Sequence, residues 1–185
     1  MFAEENNVEM FAPGIEMSLI LSGDEAGEWY REILPKIREV YSGRVAIAEH
    51  PYVGMWEVLD SHGAFEGYDC ISMTVFPWKK YEDSPWDIRS LEDYREDVKE
   101  RAEIIDYLAE KYGVECRFVA TLGMDVWQGA WPNATIRAEG YEAGLDVLRG
   151  YNLTGVFLFH WASEPDHLGD SEEVENMLSR RWTVE

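Results

Sequence analysis

The residues best suited to chemistry sit where apolar runs end. Glu16 follows a Pro13-Gly14 turn that closes the short apolar run at residues 8–12. A carboxyl group held there can give or take a proton; the competing reading is an exposed loop Glu that caps a neighbour. Glu49 and His50 close the run Arg44-Val45-Ala46-Ile47-Ala48. An imidazole beside a carboxylate suits acid–base work or ligation, and it is equally an ordinary polar strand end. His160, Glu164, Asp166 and His167 cluster in the phrase HWASEPDH, and with His50 they would offer nitrogen and oxygen donors to a divalent ion. Their spacing matches no established metal motif and Pro165 interrupts it, so solvated loop residues are the better reading and no metal is expected. Trp78, Trp86, Trp127, Trp131 and Trp161 fall in or beside the loops at strand ends. Their flat faces suit the C–H faces of sugars, or packing between loops and at a subunit contact.

Composition narrows the classes. The chain has 185 residues, 46% of them hydrophobic and 29% charged, which suits a globular domain and excludes wholesale disorder. Sixteen Lys and Arg face 37 Asp and Glu, a formal charge of −21. Such a surface repels phosphate backbones and anionic lipid, so neither nucleic acid nor membrane is an expected partner. The two cysteines, Cys70 and Cys116, form no Cys-x-x-Cys pair. That excludes a disulfide scaffold or thiolate zinc site, and both read as buried free thiols. The N-terminus has no basic start or long apolar core, no stretch is long enough to span a bilayer, and the expected location is cytoplasmic.

These residues need elements to position them. Strands are predicted at residues 8–12, 44–48, 70–76, 115–122 and 154–160. Helices are predicted at 25–41, 53–61, 87–112, 138–150 and 171–180. In the first helix Trp29, Ile33, Ile37 and Val40 form the apolar stripe, and Pro35 should kink or divide it. In the helix at 87–112 the stripe is Tyr94, Val98, Ile105 and Leu108. Its acidic run with interleaved Arg95, Lys99 and Arg101 reads as a salt-bridged solvent face. The strand cores are continuous apolar runs, the pattern of strands buried on both faces. The chain is therefore α/β, a mostly parallel sheet of about five βα units in a single domain over 1–185. No Gly-rich phosphate loop follows any strand, and no cofactor is expected.

The strand ends resemble the C-terminal half, strands four to eight, of a (β/α)8-barrel retaining glycoside hydrolase. The clan in question carries one Glu after strand four and another after strand seven. Phe11-Ala12-Pro13-Gly14-Ile15-Glu16 resembles the end of strand four, with Glu16 at the acid/base position. The stretch from Glu28-Trp29-Tyr30-Arg31 to Ala48 resembles helix four and strand five, and Glu66-Gly67-Tyr68-Asp69-Cys70-Ile71 the entry to strand six. Arg117 to Gly123 resembles strand seven, and Gly155 to Trp161 resembles strand eight with its active-site Trp. Two positions depart from the clan: Ile15 stands where Asn precedes the acid/base Glu, and Leu122 occupies the nucleophile position.

The resemblance implies a partial, half (β/α)8 barrel with two open sheet edges, a hazard that calls for a partner. That partner would be a second copy or a chain carrying the missing barrel half; rearrangement to an open sheet or an internal start at Met1 are the alternatives. The first functional expectation is a glycoside-hydrolase-like protein acting on or binding carbohydrate. Glu16 would be the acid, Asp125 or Glu49 the second carboxylate, and Trp161, Trp127, Trp78, His50 and His160 would line the sugar site. Retaining enzymes need two carboxyl groups about 5–5.5 Å apart. The second expectation is a non-catalytic, degenerate barrel fragment that serves as an assembly or sugar-binding module. A third is a metal-dependent hydrolase using His50, His160 and His167.

Overall fold

The structure, a computed structural model, describes residues 2–50, 54–76, 90–123, 134–158 and 172–182. In chain order the elements are α1 (Phe2–Glu5), β1 (Met10–Phe11), α2 (Gly23–Arg38), β2 (Arg44–Glu49), α3 (Met55–Ser61) and β3 (Cys70–Val75). They continue with α4 (Leu91–Tyr112), β4 (Cys116–Leu122), α5 (Ala134–Leu148), β5 (Gly155–Leu158) and α6 (Glu172–Trp182). The five strands form one all-parallel sheet in the order β1-β2-β3-β4-β5. Sequential parallel order with a helix after each strand is the arrangement of a partial (β/α)-barrel-like fold. Chain contacts divide into two compact units.

The first unit comprises Met1–Thr74, Glu103–Ala120 and Asn152–Gly155. In it β1 pairs with β2 through Met10–Arg44 and Phe11–Val45, and β2 pairs with β3 from Ala46–Cys70 to Glu49–Met73. Val45, Ala46, Ile47, Ile71 and Met73 are wholly buried, as strands covered on both faces require. α2 opens on a capping box, with the Ser22 hydroxyl accepting from Glu25 N–H and the Glu25 carboxylate accepting from Ser22 N–H. Its buried face is Ala26, Gly27, Tyr30, Leu34 and Ile37, so the predicted stripe is rotated by about one residue: Val40 is exposed and Trp29 only half-buried. Gly27 permits the close approach, because a Cβ there would lie 2.6 Å from His62 Cβ. Pro35 does not divide the helix; it occupies an exposed position near the last turn.

Cys70 and Cys116, the first residues of β3 and β4, are joined in a disulfide with Cα atoms 4.6 Å apart. The expectation of two free thiols is thus wrong. Neighbouring parallel strands in register bring two first residues close enough for a bridge, and a 46-residue separation hides that from the sequence. The bridge packs with Ala46, Phe118, Met10 and Ala120.

The second unit comprises Val75–Ala102, Thr121–Tyr151 and Val156–Glu185. Here the Ser90 hydroxyl accepts from Asp93 N–H at the start of α4, which is described from Leu91. Tyr94 and Val98 of the predicted stripe are wholly buried. Arg101 departs from the predicted solvated face, since it is buried and ion-paired to Asp97 one turn earlier. α5 and α6 pack together, with Arg181 paired to Asp146 at 2.6 Å and to Glu142 at 3.6 Å. Among the described residues, no helix is long and apolar enough to cross a membrane.

Candidate active site at the strand ends

Three of the predicted site residues converge at the C-terminal ends of neighbouring strands, all within the first unit. After β1 the chain passes the Pro13-Gly14 turn and returns beside β2: Ile15 bridges to Ala48, and Glu16 N–H donates to Ala48 O at 3.0 Å. A Cβ at position 14 would lie 2.8 Å from Met17 Sδ, so the Met17 side chain would have to move aside for it. Glu16 then takes a left-handed backbone, φ 57° and ψ 41°, which turns the chain into a short 3-10 helix at Met17–Leu19. A Cβ-bearing residue pays for that conformation with about 1 kcal/mol of strain, a feature that gathers at functional sites. Glu16→Gly is therefore expected to be more stable than Glu16→Ala by about 1 kcal/mol in urea unfolding. Equal stabilities would remove the strain.

Glu49 is the last residue of β2 and pairs with Met73, so His50 and Thr74 are the next neighbours along the two strands. The Thr74 hydroxyl donates to Glu16 Oε1 at 2.5 Å, and His50 Nδ1 lies 3.0 Å from Thr74 Oγ1 and 3.6 Å from Glu16 Oε1. A hydroxyl has one proton. If it goes to a Glu16 carboxylate, His50 Nδ1 must carry a proton and donate to Thr74. If Glu16 is the acid and donates to Thr74, the hydroxyl turns its proton to a bare Nδ1. The row Glu16–Thr74–His50 accommodates both protonation states of Glu16 by one hydroxyl rotation and a change of imidazole tautomer. Burial pushes the Glu16 carboxyl above its ordinary value; the Thr74 hydrogen bond opposes this, and the nearby charge of Glu49 adds to it. Yet the Glu16 side chain is 22% exposed, so a solute can reach it.

Glu49 has a different setting. It is 1% exposed, and four donors converge on its carboxyl group: Ser18 N–H at 3.0 Å, Ser18 O–H at 2.5 Å, Tyr30 O–H at 2.9 Å and His50 N–H at 3.0 Å. Burial first, and then Glu49, push the Tyr30 hydroxyl well above its ordinary range, so it stays a donor. A carboxyl group held by four donors locks the 3-10 turn, α2 and β2 together behind Glu16. Glu49→Gln turns an amide N–H2 toward these donors and is expected to destabilise the protein by about 2 kcal/mol. Chemical denaturation measures this, and a shift below about 0.5 kcal/mol would contradict the network.

The sequence pointed to Glu16, Glu49 and His50 but missed Thr74, Ser18 and Tyr30. Thr74 sits inside an apolar strand run, where only its hydroxyl marks it. Asp125, Trp127, Trp161, His160 and Trp78, with Trp86, Trp131, Glu164, Asp166 and His167, lie outside the described residues. Leu122, at the position where the resemblance needs a nucleophile, is wholly buried. Among the described residues no group of three or more His, Cys, Asp or Glu is arranged to hold a metal ion. The chain matches no protein-family model, and no curated protein matches it in sequence.

Proposed function

We propose that this chain is a glycoside-hydrolase-like protein acting on or binding carbohydrate, with Glu16 as its general acid. The observation that carries this reading is the Glu16 carboxyl itself. It is proton-retentive through burial, reachable from solvent, and held at a strand end by Thr74 and His50. A carboxyl in that state can protonate a leaving glycosidic oxygen as the C–O bond breaks, after which Thr74 donates to the new carboxylate. Ile15, Leu19 and Ile20, exposed on either side of Glu16 in sequence, offer apolar surface to sugar C–H faces. Glu49 serves better as the fixed charge behind Glu16 than as a nucleophile, because four donors already occupy it. Asp125, the other candidate for a second carboxylate, lies outside the described residues. The outer strands β1 and β5 leave sheet edges that a second copy, or a chain with the rest of a barrel, would cover.

The second reading is a sugar-binding module without turnover, and the buried Leu122 at the nucleophile position favours it. One experiment separates the two: a panel of oligosaccharides is screened for quenching of Trp fluorescence and, in parallel, for released reducing ends. Quenching with release supports the hydrolase; quenching without release supports the module; neither would overturn the carbohydrate proposal.

A further inference from the structure

A cavity of about 570 Å³ lies at the opposite end of the strands from Glu16, within the first unit. Arg44 opens β2, Asp69 precedes β3, and Glu115, Cys116 and Arg117 form the entry to β4; all line it. Cys116 is half-buried in this wall, whereas its disulfide partner Cys70 is wholly buried. Of the two bridged cysteines, Cys116 lines the cavity and Cys70 does not. The wall carries both signs of charge. Arg117 is paired to Asp106 at 2.7 Å, but its Nε–H is buried with no hydrogen-bond partner among the described residues. Asp69 is tied to Arg38 and to Val45 N–H, while Arg44 and Glu115 are exposed. On a chain of net charge −21, two arginines beside a disulfide are a local exception.

We propose that this cavity is a thiol-exchange site for a small zwitterionic thiol that carries carboxylate and ammonium groups. The carboxylate docks on Arg44 and Arg117, and the ammonium faces Glu115 and Asp69. The ligand thiolate attacks Cys116 Sγ, a new S–S bond forms to Cys116, and the Cys116–Cys70 bond breaks. The electron pair leaves on Cys70, and the proton that the ligand thiol gave up on ionising ends there. No external oxidant or reductant is consumed beyond the thiol itself. Docking holds the ligand sulfur beside Cys116, so a docked thiol has the advantage over one that merely collides.

The test uses the oxidised full chain with glutathione and with 2-mercaptoethanol, which is neutral. Adducts are followed by intact mass and located by peptide mapping after alkylation. The expected result is a mixed disulfide on Cys116, a free thiol at Cys70, and a rate that saturates with glutathione but stays linear with 2-mercaptoethanol. Arg44→Gln should raise the half-saturating glutathione concentration about threefold and leave the 2-mercaptoethanol rate unchanged. Adducts on Cys70 in comparable amount, no saturation, or an equal effect of Arg44→Gln on both thiols would each overturn the proposal.

Discussion

Replacing Glu16 by Gln is expected to lower turnover of an unactivated glycoside by about 10²- to 10⁴-fold, the usual contribution of a positioned general acid. Gln keeps the shape and an acceptor for the Thr74 hydroxyl but has no proton to give. The same change should not weaken the fold. The native Glu16 carboxyl is raised above its ordinary value of 4.5, chiefly by burial. A group shifted that way gives stability that is full below its unfolded value and lost as pH rises through the folded one. The charged form therefore works against the fold at pH 7, and Glu16→Gln is expected to raise stability there. The gain should vanish below about the ordinary carboxyl value, where both side chains are neutral. In the wild-type protein the acid must hold its proton, so activity is expected to fall as pH rises through the raised value. Paired melts at neutral and acid pH, with initial rates on one preparation, check all of these. Full activity in the variant, or a loss of activity matched by a loss of stability, would contradict the assignment.

The second large effect concerns the bridge. Cys70–Cys116 closes a loop of 46 residues that contains α4, and loop-closure entropy assigns such a bridge about 4 kcal/mol. For a chain of this size that corresponds to roughly 10 °C in melting temperature. Reduction, or the double replacement Cys70→Ala and Cys116→Ala, should produce that shift. Reduction of the double variant should then change nothing further. A melt that is indifferent to reductant would show that the two sulfurs are not bonded in solution.

The contrast between what was and was not legible in the sequence has physical causes. Strands such as Arg44–Glu49 and Cys70–Val75 announce themselves, because burial on both faces demands an unbroken apolar run. The polar residues that follow such runs are legible for the same reason, and Glu16, Glu49 and His50 stand out in that way. The phase of α2 was harder. Trp29 and Tyr30 are adjacent aromatics, and only packing decides that Tyr30, with its hydroxyl on Glu49, faces inward. Thr74 and Ser18 gain their roles from strand register and from a left-handed turn, neither of which has a sequence period. The disulfide depends on register between strands separated by a whole helix, and cysteine spacing alone carries no trace of it.

If Glu16 gives a proton to the leaving glycosidic oxygen, its contribution must grow with the basicity of the leaving group. A series of aryl glycosides of graded leaving-group acidity, measured on wild type and Glu16→Gln, tests it most directly. An acidic phenol needs no proton to depart, whereas an alcohol does. The variant is expected nearly to match wild type on dinitrophenyl substrates and to fall progressively behind as the leaving group becomes more basic. A deficit of the same size across the whole series would contradict it, since that pattern belongs to a residue that binds substrate or supports the fold without donating the proton.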